Sequence, residues 1–261
     1  MNGKFLVKAL SALALIGILV LGAGFFLNSG SASGINGKDQ PAPEMRTNPA
    51  PVEEEDTRFE QMEAVLNQSA TGRQLLTLKE TYRVGVQFET GCGSRFRQNS
   101  NLILLDANHD PIKAALFFAH EMHHAQTLHE GNKADLKSES RQTYVNLKLR
   151  EEAEGMVASI QVKMELEKTG LQAANVTLPL EDHYRQAYQA TVGQARLSEA
   201  SLSERQLEAT GRTAGQQALY EAFASGEVKT SNTYEPYPEY YGRDWDEAHP
   251  IKALVAGLFA S

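Results

Sequence analysis

Five consecutive residues constrain this chain more than any other feature: His120-Glu121-Met122-His123-His124. If the segment is helical, His120 and His124 lie one turn apart on one face, close enough for their imidazoles to share a metal ion. Glu121 is about 100° around the helix from His120, which puts its carboxylate beside such an ion rather than on it. Two ligands and a base within five residues is the H-E-x-x-H pattern. At this composition the pattern arises by chance in on the order of one in a hundred chains of this size, so its surroundings matter. They favour it. Pro111 suits a first helical turn, and Pro111 to Ala119 runs into the motif without a break. Leu116 and Phe117 continue the face of His120, so the helix reads as buried. A buried helix that carries imidazoles and a carboxylate needs something to neutralise them.

The chain has 261 residues and a formal net charge of −8, with no basic cluster, which argues against nucleic-acid binding. Residues 1–27 carry Lys4 and Lys8 ahead of an uncharged apolar run that ends at Leu27. The run is near the length of a spanning helix, about 20 residues, and fits a signal anchor slightly better than a cleaved signal peptide. Gly30-Ser31-Ala32 would serve as a cleavage site. The lysines place the N-terminus inside and the remainder in the periplasm or outside the cell. Residues 28–56 are rich in Ser, Gly, Pro and Glu and read as a disordered linker. Residues 57–261 form one domain of ordinary size. Cys92 is the only cysteine, so no disulfide within the chain can brace it.

Apolar periodicity predicts helices at 57–66, 73–79, 111–129, 138–168, 181–192, 202–225 and 251–259. Val84–Phe88 and Asn101–Asp106 read as strands that pair as a hairpin or small sheet ahead of the motif helix. Residues 234–249, aromatic and Pro-containing, read as irregular. The fold class is α+β, mostly helical.

A catalytic zinc site has three protein ligands and an open position. A third His in the pattern H-E-x-x-H-x-x-G-x-x-H is absent, because Thr127 and Glu130 stand at the Gly and His positions. The 138–168 helix offers Glu151, Glu152 and Glu154 instead. Val145, Leu149, Met156 and Ile160 form an apolar stripe that contains Glu152, whereas Glu151 and Glu154 are expected to point toward solvent. Glu152 is therefore the expected third ligand, with the other two in reserve. His123 falls on the far side of His120 from His124 and is expected to serve only around the site. His183, His249 or a tyrosine of 234–241 could steady an oxyanion. The edge of Leu102–Leu105 could pair with an extended peptide.

Leu102–Asp106, Phe118-Ala119-His120-Glu121-Met122-His123-His124-Ala125, Glu152-Ala153-Glu154 and Ser69–Leu76 together resemble a bacterial zinc metallopeptidase domain of the gluzincin type, over residues 57–170. Relatives of that kind often carry Leu, Asp and Ala where this chain has Phe118, Glu154 and Gly155. The resemblance implies a zincin-like domain in which Zn²⁺ is held by His120, His124 and Glu152. It also implies Glu121 as general base, and a peptide or protein as substrate. Two other uses suit the same residues: a non-catalytic, metal-stabilised binding module, and a hydrolase of a cell-wall amide.

Overall fold

The computed structural model describes residues 52–91, 93–198, 202–230 and 233–250. The N-terminal anchor, the linker up to residue 51, Cys92 and the expected 251–259 helix lie outside the described residues. No helix among the described residues is long and apolar enough to cross a membrane.

Seven helices and one three-stranded sheet are described: α1 Val52–Leu66, α2 Ala70–Tyr82, β1 Gly85–Glu89, β2 Arg95–Arg97, β3 Leu102–Asp106, α3 Pro111–His129, α4 Arg141–Lys168, α5 Glu181–Ser198, α6 Glu204–Ala224 and α7 Tyr237–Ala248. The fold is mostly helical with a small sheet, the expected α+β class. Helix α1 starts at Val52, five residues inside the segment that composition assigns to the linker.

The sheet order is β1-β3-β2. The two strands expected from alternation pair in parallel, Val86 beside Ile103 and Phe88 beside Leu105. The hairpin is made by β2 and β3, with Phe96 opposite Ile103. Strand β3 is therefore central, and both its edges are taken. The expectation that a peptide could pair with Leu102–Leu105 fails for that reason, and the open edge on the β2 side belongs to β2.

Helix α3 begins with Pro111 in its first turn and with Asp110 accepting a bond from the Lys113 amide, which satisfies an otherwise unpaired donor. Its residues Ala114–Ala119, Met122 and Ala125 are at most 4% exposed, so it is the core helix of the domain. It packs against α1, α2, the sheet and α4. Ser140 caps α4 by accepting from the Thr143 amide. Helix α4 is covered on several sides at once, by α2, α3, α6 and α7. Ser159 Oγ donates to the Leu116 carbonyl at 2.6 Å and ties α4 to α3 beside the motif. A buried Lys163 on α4 pairs with Glu181 at 2.6 Å and sets the start of α5.

The segment expected to be irregular is a helix from Tyr237 onward. Its prolines sit at Pro236 and Pro238, at the start of the helix, where a missing amide costs nothing. Tyr237, Tyr241 and Trp245 recur every four residues and are 1%, 1% and 6% exposed. They form the buried face of α7. Asp244, one residue before Trp245, is partly buried, and its Oδ2 has no hydrogen-bond partner among the described residues. Burial pushes this carboxyl up to about 6, against the pull of Arg243. The folded chain thus holds this proton more tightly than the unfolded chain does. The group costs stability as pH rises from the ordinary carboxylate range through about 6. Asp244→Asn is expected to raise the melting temperature at about pH 7.5 and to change it little at about pH 4, as read by thermal unfolding. An equal change at both pH values would contradict the assignment.

Candidate metal centre

Helix α3 brings His120 and His124 to the face that meets α4, and α4 answers with Glu152. All three are buried, at 3%, 7% and 0% exposure. Their ligand atoms lie within 4.8 Å of one another, and they are the one such group among the described residues that could hold a metal ion. The Nε2 atoms of His120 and His124 are 3.1 Å apart. His120 Nε2 is 3.5 Å from Glu152 Oε2, and His124 Nε2 is 3.9 Å from Glu152 Oε1. A tetrahedral ion with bonds of about 2.05 Å needs ligand atoms about 3.3 Å apart, which the two shorter separations bracket.

The hydrogen bonds fix which atoms face inward. His124 Nδ1 lies 2.8 Å from Glu151 Oε1, a carboxylate that can only accept, so Nδ1 carries a proton and Nε2 is the ring atom that faces the cluster. Glu152 Oε2 is buried with no hydrogen-bond partner among the described residues. An imidazole nitrogen and an orphaned carboxylate oxygen that converge in a buried site suit a metal ion, which would take the place of the second proton that His124 otherwise holds. The donor set, two imidazoles and one carboxylate, suits zinc. Electrostatics point the same way. Burial opposes the charge on His124, yet Glu151 and the neighbouring carboxylates hold its pKa up to about 9. Burial also opposes the charge on Glu152, yet His120, His124 and Lys148 bring it down to about 2. The cluster is thus arranged to hold a positive charge beside Glu152.

Glu151 corrects the helical-phase expectation. It is buried, not solvent-facing, and bridges His124 and Lys148, the latter at 2.5 Å. The single-stripe reading fails because α4 is enclosed by four helices and has more than one buried face. Lys148, three residues before Glu151, is the sequence signal that accompanies it, an i,i+3 ion pair. Together the two carboxylates divide the work: Glu152 faces the ligand nitrogens, and Glu151 orients His124 from behind. Glu154 is apart from the cluster, with its side chain 43% exposed, 3.4 Å from His123 Nε2 and accepting from Gln216 at 2.9 Å. His123 therefore sits off the ligand face, as its helical angle requires. It lines a groove of about 340 Å³ together with Arg150 and Glu154.

Glu121 is 3% exposed and points to the sheet side of α3. Its carboxylate accepts a bond from the Phe96 amide of β2, and burial raises its pKa despite the two histidines. Two tyrosines of α7 reach the cluster. Tyr241 donates its hydroxyl to Glu152 Oε1. Tyr237 has its pKa raised well above the ordinary value by burial, then by Glu152 and Glu121. The other candidates for an oxyanion donor are engaged elsewhere: His183 faces Glu227 at 3.4 Å, and His249 stacks on Trp245. Residues 237, 241 and 245 could have been found from their four-residue spacing directly after a proline.

Gly155 now has a reason. A Cβ at this position would lie 2.8 Å from His120 Nδ1, so only glycine lets the ring lie flat against α4. No protein-family model, no curated protein and no solved structure matches this chain. The chain carries a buried His120-His124-Glu152 cluster that could bind a metal ion.

Two substitutions test this geometry by competition titration of Zn²⁺ against a chromophoric chelator. Glu151→Gln is expected to weaken binding about 10–100-fold, the usual loss when a ligand's supporting carboxylate is removed. Gly155→Ala is expected to weaken it by displacing His120, while Gly193→Ala, where a Cβ meets nothing within 4 Å, should bind as the parent does. Parent-like affinity in both Glu151→Gln and Gly155→Ala would contradict the site.

Proposed function

We propose that the protein is an extracytoplasmic zinc metallopeptidase of the gluzincin kind, held at the membrane by its N-terminal segment. The observation that carries this reading is Glu121. It is a buried carboxylate next in sequence to His120 and electrostatically coupled to both histidines, and it lies outside the ligand group itself. A site built only to hold a metal has no use for such a group.

His120, His124 and Glu152 would hold the ion. When bound, zinc supplies a Lewis acid for the scissile carbonyl and brings the pKa of its water to about 7. Glu121 accepts the proton of the attacking water and returns it to the leaving amine nitrogen. Burial raises its pKa above that of a free carboxylate, which makes it a stronger base. Tyr237, buried and electrostatically coupled to Glu152 and Glu121, is the neutral donor offered to the developing oxyanion, since the Tyr241 hydroxyl is held by Glu152. An extended substrate would run along the outer edge of β2, because the Phe96 amide already points away from β3 toward Glu121.

One observation favours a second reading, a metal-stabilised module without catalysis. His120, Glu121, His124 and Glu152 are all at most 7% exposed, with Tyr237 and Tyr241 packed over them. A substrate must displace part of that wall to enter.

The two readings separate on one variant. Glu121→Gln is expected to bind zinc as tightly as the parent and to lose peptide hydrolysis by a factor of about 10²–10⁴, measured on a quenched-fluorescence peptide library. Hydrolysis retained in Glu121→Gln would remove the proposed base. Absence of hydrolysis in the zinc-loaded parent would favour the module.

A further inference from the structure

We propose that Tyr241 is a positioning residue of the metal centre, so that docking of α7 and loading of the metal are coupled. The proposal rests on the metal-binding part of the function above and does not depend on catalysis.

Glu152 has two oxygens and two tasks. Oε1 accepts the Tyr241 hydroxyl, and Oε2, 3.5 Å from His120 Nε2, is left without a hydrogen-bond partner among the described residues. One oxygen is anchored and the other is presented. Without that anchor the carboxylate can turn about its last bond and present neither oxygen at a fixed point. Tyr241 comes from 89 residues further along the chain, so the third ligand is aimed by an element remote from it in sequence.

The position of the hydroxyl is set in turn by how α7 sits. The Tyr241 ring lies 5.2 Å from the Lys148 ammonium, and the same ammonium pairs with Glu151, which orients His124. Tyr237, one turn earlier, packs edge-on against Phe223 of α6 at 4.9 Å. Trp245, one turn later, donates its indole N–H to the Glu139 carbonyl at 3.1 Å, just before α4. Asp246 accepts two bonds from Arg141, at 2.9 and 3.0 Å. Gly242 lets that guanidinium cross the helix, since a Cβ there would lie 2.3 Å from it. Helix α7 is thus fastened on both sides of Tyr241, and the tyrosine transmits its placement to Glu152. By linkage, a metal that fixes Glu152 must also favour docked α7, to the same extent that docked α7 favours the metal.

Trp245 is the only tryptophan of the chain and reports docking directly. The test measures two quantities: Zn²⁺ affinity by chelator competition, and acrylamide quenching of Trp245 with and without Zn²⁺. In the parent, Zn²⁺ is expected to reduce quenching. Tyr241→Phe keeps the ring and removes the hydroxyl. It is expected to bind Zn²⁺ about 10–100-fold more weakly, and Zn²⁺ should no longer protect Trp245 as it does in the parent. Asp246→Ala frees Arg141 without touching Glu152, and is expected to weaken Zn²⁺ binding several-fold; it decides the question alone if Tyr241→Phe does not fold. Parent-like Zn²⁺ affinity in the variants that fold overturns the proposal, whatever Trp245 does. A parent that takes up no Zn²⁺ refutes the metal reading itself. Zn²⁺ uptake without peptide hydrolysis refutes the peptidase reading alone.

Discussion

Two imidazole nitrogens 3.1 Å apart, next to a carboxylate oxygen with no partner, are the constraint on which the site and much of the core depend. Two imidazoles and a carboxylate placed together in a buried site need a positive charge between them, a proton on His124 or a metal ion. Everything around the cluster keeps it in place. Helix α3 is buried all round from Ala114 to Met122, at most 4% exposed, so packing holds it from every side. Ser159 bonds α4 to α3, Gly155 admits the His120 ring, and Glu151 holds the His124 tautomer.

The charges balance outward from the cluster in steps. Glu152 faces the ligand nitrogens, Glu151 stands behind His124, and Lys148 stands behind Glu151 with its ammonium over the Tyr241 ring. A buried ion pair of this kind adds little net stability, because desolvation offsets the attraction. Its value is orientation: each member has one partner that faces the site and one that faces away. That division explains why three glutamates within four residues of α4 have three different fates. One aims at the ligand nitrogens, one supports a ligand, and one lies half-exposed against His123 and Gln216.

The motif helix was legible because every signal in it agreed: a proline in the first turn, an unbroken apolar run and two histidines at helical spacing. Glu152 was legible from its place between Leu149 and Met156, both buried as the stripe requires. Glu151 was not, since phase analysis assumes a helix with one wet face and α4 has neighbours on several sides. The sheet was legible as two strands, but its connectivity was not. Three residues at 95–97 are too few to show alternation, yet they supply the antiparallel partner of β3. Helix α7 was hidden by its prolines, which read as breakers although they occupy the start of the helix, where proline is tolerated. Its aromatic spacing was the better signal.

The most direct measurement is the metal content and Zn²⁺ affinity of the purified protein beside a His120→Ala, His124→Ala double variant of the same chain. About one zinc per chain in the parent, absent from a double variant that remains folded, is the result expected of a mononuclear site. A folded parent that neither carries nor takes up Zn²⁺ would contradict the claim that this cluster is a metal centre.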